Sequence, residues 1–275
     1  MKTIRLPAHR VLQLLQGSAT HYTYPLYTPD GTLVPTDINA IPEEDQTGQG
    51  FHFPNETLVL YPPAAPGTNI CVKERWRVGA WKNGHIAIDY AADGYARREW
   101  LPVRESYLAQ LIRQSRADLR HAGYTPDEHG TYSWTPGQAP TRWRLPSTMR
   151  IGMSRLAAVV TSVRPVRLSA LTEHDALDAG MARVSEAWML THYPDYVRLR
   201  DRLKLDEAAQ DAYTHQPIIG PTPLMRLHAD IRHRHHLPPG QDAWIWATTL
   251  TRLDETPLVI RKRELAEADA SAGAE

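Results

Sequence analysis

Breaks in the chain, more than any long pattern, limit what this sequence can fold into. Pro29-Asp30-Gly31, the run Pro62-Pro63-Ala64-Ala65-Pro66-Gly67, Asp93-Gly94, Pro194 and the stretch from Pro217 to Pro223 each interrupt it. Proline and glycine at such points favour turns and end helices. No window approaches 18 uninterrupted apolar residues, which predicts that nothing here spans a bilayer. What remains between the breaks is a series of short strands and helices.

The local patterns place them. Val11, Leu12, Leu14 and Leu15 predict a helix over residues 8–16, with Gly17 as its left-handed cap. Thr57 to Tyr61, Asn69 to Val78 and His85 to Tyr90 are rich in strand formers. Residues 104–122 then read as a helix with Tyr107, Leu108, Leu111, Ile112 and Leu119 on one stripe, Arg113, Arg116 and Arg120 outside, and Gly123 as its stop. Leu156 to Arg164 returns to strand, and Thr172 with Asp175 forms an N-terminal capping pattern before a helix over about 173–180. Residues 183–236 look mainly helical, and Asp242 to Leu253 closes the series as a strand. The tail, 263–275, has no apolar face to bury, which predicts disorder. The class expected is α+β.

Charge narrows the partners. Lys+Arg 31 balances Asp+Glu 31, so no global field draws the molecule onto a phosphate backbone, and any nucleic-acid contact needs a local patch. The single cysteine, Cys71, excludes an intramolecular disulfide and a multi-cysteine zinc site and fits a reducing compartment. With no signal-peptide pattern from Met1 to Gln16, a cytoplasmic location without membrane contact is the expectation.

Four separated segments carry a family resemblance. Leu6 to Pro25 resembles an opening helix followed by a G-R-K-T-x-T-R-R-P turn, keeping Gly17, Thr20 and Pro25. Gly67 to Trp76 is similar to a G-D-x-L-W-V-R-E-T-W strand, with Lys73 in place of the arginine. Trp143 to Arg155 resembles W-R-P-S-x-x-M-P-R-W-A-S-R, and Trp244-Ile245-Trp246 is like a closing W-V-W. In this order they resemble the phage and prophage branch of the ASCH family, small β-barrels related to the PUA RNA-binding fold. The resemblance implies one PUA-like β-barrel domain over residues 1–262 with packed helices, and insertions near 27–56, 100–140 and 182–225 about which it says nothing.

Small ASCH proteins that act as acetylcytidine amidohydrolases use a lysine and a threonine of the opening turn and a glutamate of the later helix. Those positions here are Ala19, Tyr22 and Ala179. Alanine moves no proton, so the resemblance implies that this catalysis is absent. The opening turn instead offers Tyr22 and Tyr24 as stacking faces and Thr20, His21 and Thr23 as hydrogen-bonding groups. Lys73, Glu74 and Ser154 lie in the matched strand and loop, and Arg144, Arg150 and Arg155 offer guanidinium forks for phosphate. Trp76, Trp244 and Trp246 are assigned to the core. The run His228 to His236 interleaves Arg232 and Arg234, which repel a cation, so it reads as a basic face and not as a metal site.

The leading expectation is a module that binds RNA, DNA or a nucleotide, with a modified base among its candidate ligands and with neither cofactor nor metal. A diverged hydrolase acting on a modified nucleoside or RNA, with His21, Lys73 or Glu74 supplying the replacement chemistry, is the alternative, and a phage protein whose insertions bind a host protein is the third. No Gly-rich phosphate loop, Gly-x-Ser-x-Gly elbow or dinucleotide fingerprint is present.

Overall fold

The computed structural model describes residues 1–18, 20–38, 42–44, 50–54, 58–97, 100–181 and 222–272. In chain order the elements are β1 (Lys2–Arg5), α1 (Ala8–Leu15), β2 (Thr20–Pro25), β3 (Glu43–Glu44), β4 (Phe51–His52), β5 (Val59–Leu60), β6 (Asn69–Lys73), β7 (Trp76–Lys82), β8 (His85–Tyr90) and β9 (Leu101–Pro102). There follow α2 (Glu105–His121), β10 (Leu156–Arg167), α3 (Glu173–Asp178), α4 (Pro223–His235), β11 (Trp244–Leu253) and α5 (Pro257–Ala272). The fold is α+β. Among the described residues, no helix is long and apolar enough to cross a membrane.

The largest sheet has the hydrogen-bonded order β1-β6-β10-β11-β2, with β1 parallel and β10 antiparallel to β6. The order is linear and ends on β1 and β2, so among the described residues the sheet is open and not a closed barrel. Two segments expected in it belong elsewhere. Val59–Leu60 pairs with Phe51–His52 in a small sheet, and β7 pairs with β8 in another. The continuous strand expected over 69–78 is broken after Lys73, because Glu74 turns inward to meet Arg155.

The chain divides into two compact units: Met1–Thr20, Ala64–Ser162 and Thr249–Glu275 in the first, His21–Pro63 and Val163–Thr248 in the second. In the first, α1 buries Val11 and Leu14 and stops where Gly17 takes φ 79°, a conformation glycine adopts without strain. Trp76, Val78, Ile86, Ile88 and Tyr90 on β7 and β8 pack with Leu111 of α2 and with Met149 and Met153. α2 stops at Gly123, also at φ 79°. The helix α5 runs to Ala272, through much of the stretch expected to be disordered. Its Ile260 is buried, and its Glu264 accepts from the N-terminal amine at 2.8 Å and from Asn69 Nδ2 at 3.0 Å, contacts that composition does not reveal.

The second unit has two apolar clusters. Leu26, Val34, Phe53 and Leu60 pack with Trp244 and Trp246, which places those tryptophans in the core as expected. Leu168, Leu171, Ala176 and Ala179 pack with Leu227 and Ile231 of α4 and with Ile245. α3 begins with a reciprocal capping box, in which the Thr172 hydroxyl accepts from Asp175 N–H and the Asp175 carboxylate accepts from Thr172 N–H. Of the positions implied for hydrolysis, Ala179 is buried, and Ala19 lies outside the described residues, as does most of the expected helical stretch 183–236.

Candidate functional site

The residues expected to form the opening turn are in a strand. Within β2, Thr20, Thr23 and Pro25 are buried while Tyr24 is exposed. The Thr20 hydroxyl donates to Gln13 Oε1 at 3.0 Å in the first unit and is fully buried, which removes it from any ligand. In the second unit, Thr23 accepts from Arg234 Nη2 at 3.2 Å, and Tyr24 meets Tyr27 and His235 edge to face at 5.8 and 5.5 Å. Tyr22 is half-buried. His21 lies 3.7 Å from Asp175 Oδ1 and 3.8 Å from Asp178 Oδ2, beyond hydrogen-bonding distance of either.

Ser154 and Arg155 also have structural duties in the first unit. The buried Ser154 hydroxyl donates to Val72 C=O at 2.6 Å and bridges the end of β6. Arg155 grips two carboxylates at once: Glu74 through Nε and Nη2 at 2.9 and 3.2 Å, and Asp93 through Nη1 and Nη2 at 3.0 and 2.9 Å. Its plane lies over Tyr90 and Tyr95, 4.4 and 5.2 Å from the ring centroids. Burial pushes Glu74 above the ordinary carboxylate range despite the opposing hydrogen bonds from Arg155. Burial also acts to raise Asp93, but hydrogen bonds from Arg155 and Tyr95 N–H hold it below its ordinary value. With both carboxylates engaged, Arg155 is committed to the fold. Lys73, half-buried at the end of β6, joins none of these contacts.

Arg144 is different. Arg144 forms an isolated antiparallel bridge with Trp76 of β7, its N–H donating to Trp76 C=O and Trp76 N–H donating to its C=O. This places Arg144 at a cavity of about 610 Å³ lined by Trp76, Tyr107, Gln114, Arg142, Trp143 and Arg150, among others. The volume is that of a small-molecule site. One guanidinium nitrogen, Nη1, donates to Gln114 Oε1 at 2.6 Å, while Nε and Nη2 are buried without a hydrogen-bond partner. The nearest carboxylate oxygen, on Asp118, is 4.0 Å from Nη2 and is shared with Arg142. Burial, partly opposed by Asp118 and reinforced by the Arg142 charge, lowers the Arg144 pKa from its ordinary value.

The aromatic rings around this cavity hold arginines. Arg150 stacks on Tyr107 at 3.6 Å, Arg77 on Trp143 at 4.3 Å, and Arg144 lies 5.5 Å from the Trp76 centroid. Cation–π contact orients these guanidinium groups; Arg77 spends its edge on Asp89 and Gly137 C=O. The expected arginine cluster thus divides: Arg144 and Arg150 share the cavity with Arg142, and Arg155 leaves it for Glu74 and Asp93. Sequence reasoning missed Arg142, Tyr107 and Gln114. The Arg142-Trp143-Arg144 run carried a legible basic and aromatic signal, whereas the two α2 residues sat in an insertion with nothing to tie them to it. Among the described residues, no group of three or more His, Cys, Asp or Glu could hold a metal ion.

No family profile matches this chain, and no curated protein or solved structure matches it. The functional reading therefore rests on its own residues.

Proposed function

We propose that this protein is a nucleotide- or nucleic-acid-binding module that takes a phosphate group in the cavity of Arg142, Arg144 and Arg150. The observation that carries the reading is Arg144, a side chain only 10% exposed with two guanidinium nitrogens lacking a hydrogen-bond partner. Phosphate oxygens match a guanidinium edge bidentately and would supply the missing acceptors. Arg142 and Arg150 add charge at the same cavity, and Gln110 and Gln114 add amide groups. With net charge zero, an anion is held by a local patch of this kind and not by a global field. The four ordered segments resembling the ASCH family support a PUA-like ancestry for the module.

The test is fluorescence anisotropy with labelled mononucleotides and single-stranded RNA and DNA, alongside native mass spectrometry of the purified protein. Arg144→Gln should weaken binding at least about tenfold, the scale of one lost charge-assisted contact. Arg142→Gln should weaken it less and reduce its salt dependence. If the parent protein binds none of these ligands, or if Arg144→Gln binds them like the parent, the reading is wrong.

A further inference from the structure

A second cavity, of about 500 Å³, lies in the first unit on the other face of β7 and β8. Along β8, Ile86 and Ile88 point into the apolar cluster with α2, while the alternate residues Ala87 and Asp89 line this cavity. A bulge between Val78 and Ala80 brings Gly79 and Ala80 to the same side. Gly79, Ala80, Ala87 and Ala96 make a low floor of small residues, and Tyr95, Trp100 and Trp134 provide flat walls. The Trp134 indole N–H donates to Gly79 C=O at 2.6 Å, which fixes that ring.

One polar group on the floor is incomplete. Asp89 is 1% exposed, and both of its hydrogen bonds fall on Oδ2, from Arg77 Nε at 3.1 Å and Ala139 N–H at 3.3 Å. Among the described residues, no donor reaches Oδ1. That oxygen lies over Gly79, where a Cβ would come within 2.4 Å of it, so only glycine leaves the carboxylate room at the floor. The cavity therefore presents a hydrogen-bond acceptor between aromatic walls.

We propose that this cavity is a binding site for a planar nitrogen heterocycle bearing an exocyclic amino group, which stacks on the tryptophans and donates to Asp89 Oδ1. A cation suits the site less, because Arg77 already balances Asp89 and Arg97 lines the wall. An anion would meet the carboxylate. A ring without a donor would leave Oδ1 buried and unpaired, and a site built to bond an N–H rejects the analogue that lacks it. The inference stands apart from the arginine cavity and requires no phosphate.

The experiment is equilibrium dialysis of the full chain with adenosine and with purine riboside, the same ring system without the amino group. Adenosine should bind, and purine riboside should bind at least about tenfold more weakly. Ala87→Leu, which fills the floor without touching the Asp89 network, should abolish adenosine binding, and circular dichroism of that variant checks that it is folded. Arg144→Gln should leave adenosine binding unchanged, which separates this site from the phosphate reading. Absence of adenosine binding, equal affinity for the two nucleosides, or undiminished binding by folded Ala87→Leu would each overturn the proposal.

Discussion

Arg155 and Arg144, eleven positions apart along the chain, are held by the fold in two different ways. Arg155 meets a carboxylate on either side, and every nitrogen of its guanidinium has an oxygen within 3.2 Å. Arg144 has one amide oxygen and a carboxylate too far away to bond, and its remaining nitrogens face none. Both are largely buried and both lie over aromatic rings. Burial and stacking are thus common to both, and what differs is the supply of hydrogen-bond acceptors; in the proposed reading a bound phosphate makes up those that Arg144 lacks.

The largest effect expected from this contrast is on stability. Arg155→Ala leaves Glu74 buried without its partner, and removing one member of a buried pair costs about 3 kcal/mol or more. Glu74 already lies above the ordinary carboxylate range, and without Arg155 its charged form is disfavoured further. The variant should therefore lose less stability near pH 4, where Glu74 can be buried neutral, than near pH 7. Urea unfolding at both pH values measures this. An equal loss at the two would show that Glu74 is not the group left uncompensated.

A smaller effect belongs to an arginine between these extremes. Arg164 pairs with Asp175 at the head of α3, but its side chain is 50% exposed. Arg164→Gln should cost about 0.5 kcal/mol, as for exposed pairs generally. Burial acts to raise Asp175, but the Thr172 N–H and hydroxyl, followed by Arg164, hold it below its ordinary value. A carboxylate lowered on folding stabilises above its unfolded pKa, and that contribution is lost as pH falls through the lowered value. Arg164→Gln and Thr172→Ala, each of which removes part of what lowers Asp175, should both shrink this acid-side loss. Thermal melts between pH 2 and pH 6 measure it, and an acid-side loss unchanged in both variants would show that Asp175 is not its source.

These three arginines also mark where the sequence was legible. Rules confined to a few residues worked: helical spacing with a glycine stop gave α1 and α2, and Thr172 with Asp175 read as a cap because both partners lie within one turn. The tryptophans of β11 read as core from their place in a closing strand. The fate of each arginine did not. Arg155 is claimed by Glu74 and Asp93, 81 and 62 positions away, and Arg144 meets Gln114, 30 positions away in an insertion. No local pattern encodes such pairings, so one cluster of candidates was read where the fold makes two. The same holds for the second cavity, since Trp100 and Trp134 reach β7 and β8 from separate segments, and Asp89 depends on a glycine across the hairpin.

The smallest expected effect is the one that most sharpens the contrast. Arg144→Gln removes a hydrogen bond to Gln114, worth about 1 kcal/mol, together with the contact on Trp76. It also removes a desolvated charge whose pKa is lowered because its surroundings oppose it. These changes have opposite signs, so the stability of the free protein should shift by no more than about 0.5 kcal/mol, the range of substitutions that break no essential partner. A side chain kept for its ligand should show its cost on binding and little on folding, the reverse of Arg155. Chemical denaturation of the parent and Arg144→Gln proteins, first alone and then with a nucleotide, separates the two: they should unfold together when free, and the parent should gain more from the same ligand concentration. If Arg144→Gln instead destabilises the free protein as much as Arg155→Ala does, Arg144 is a second structural arginine, and the cavity loses the observation that makes it a phosphate site.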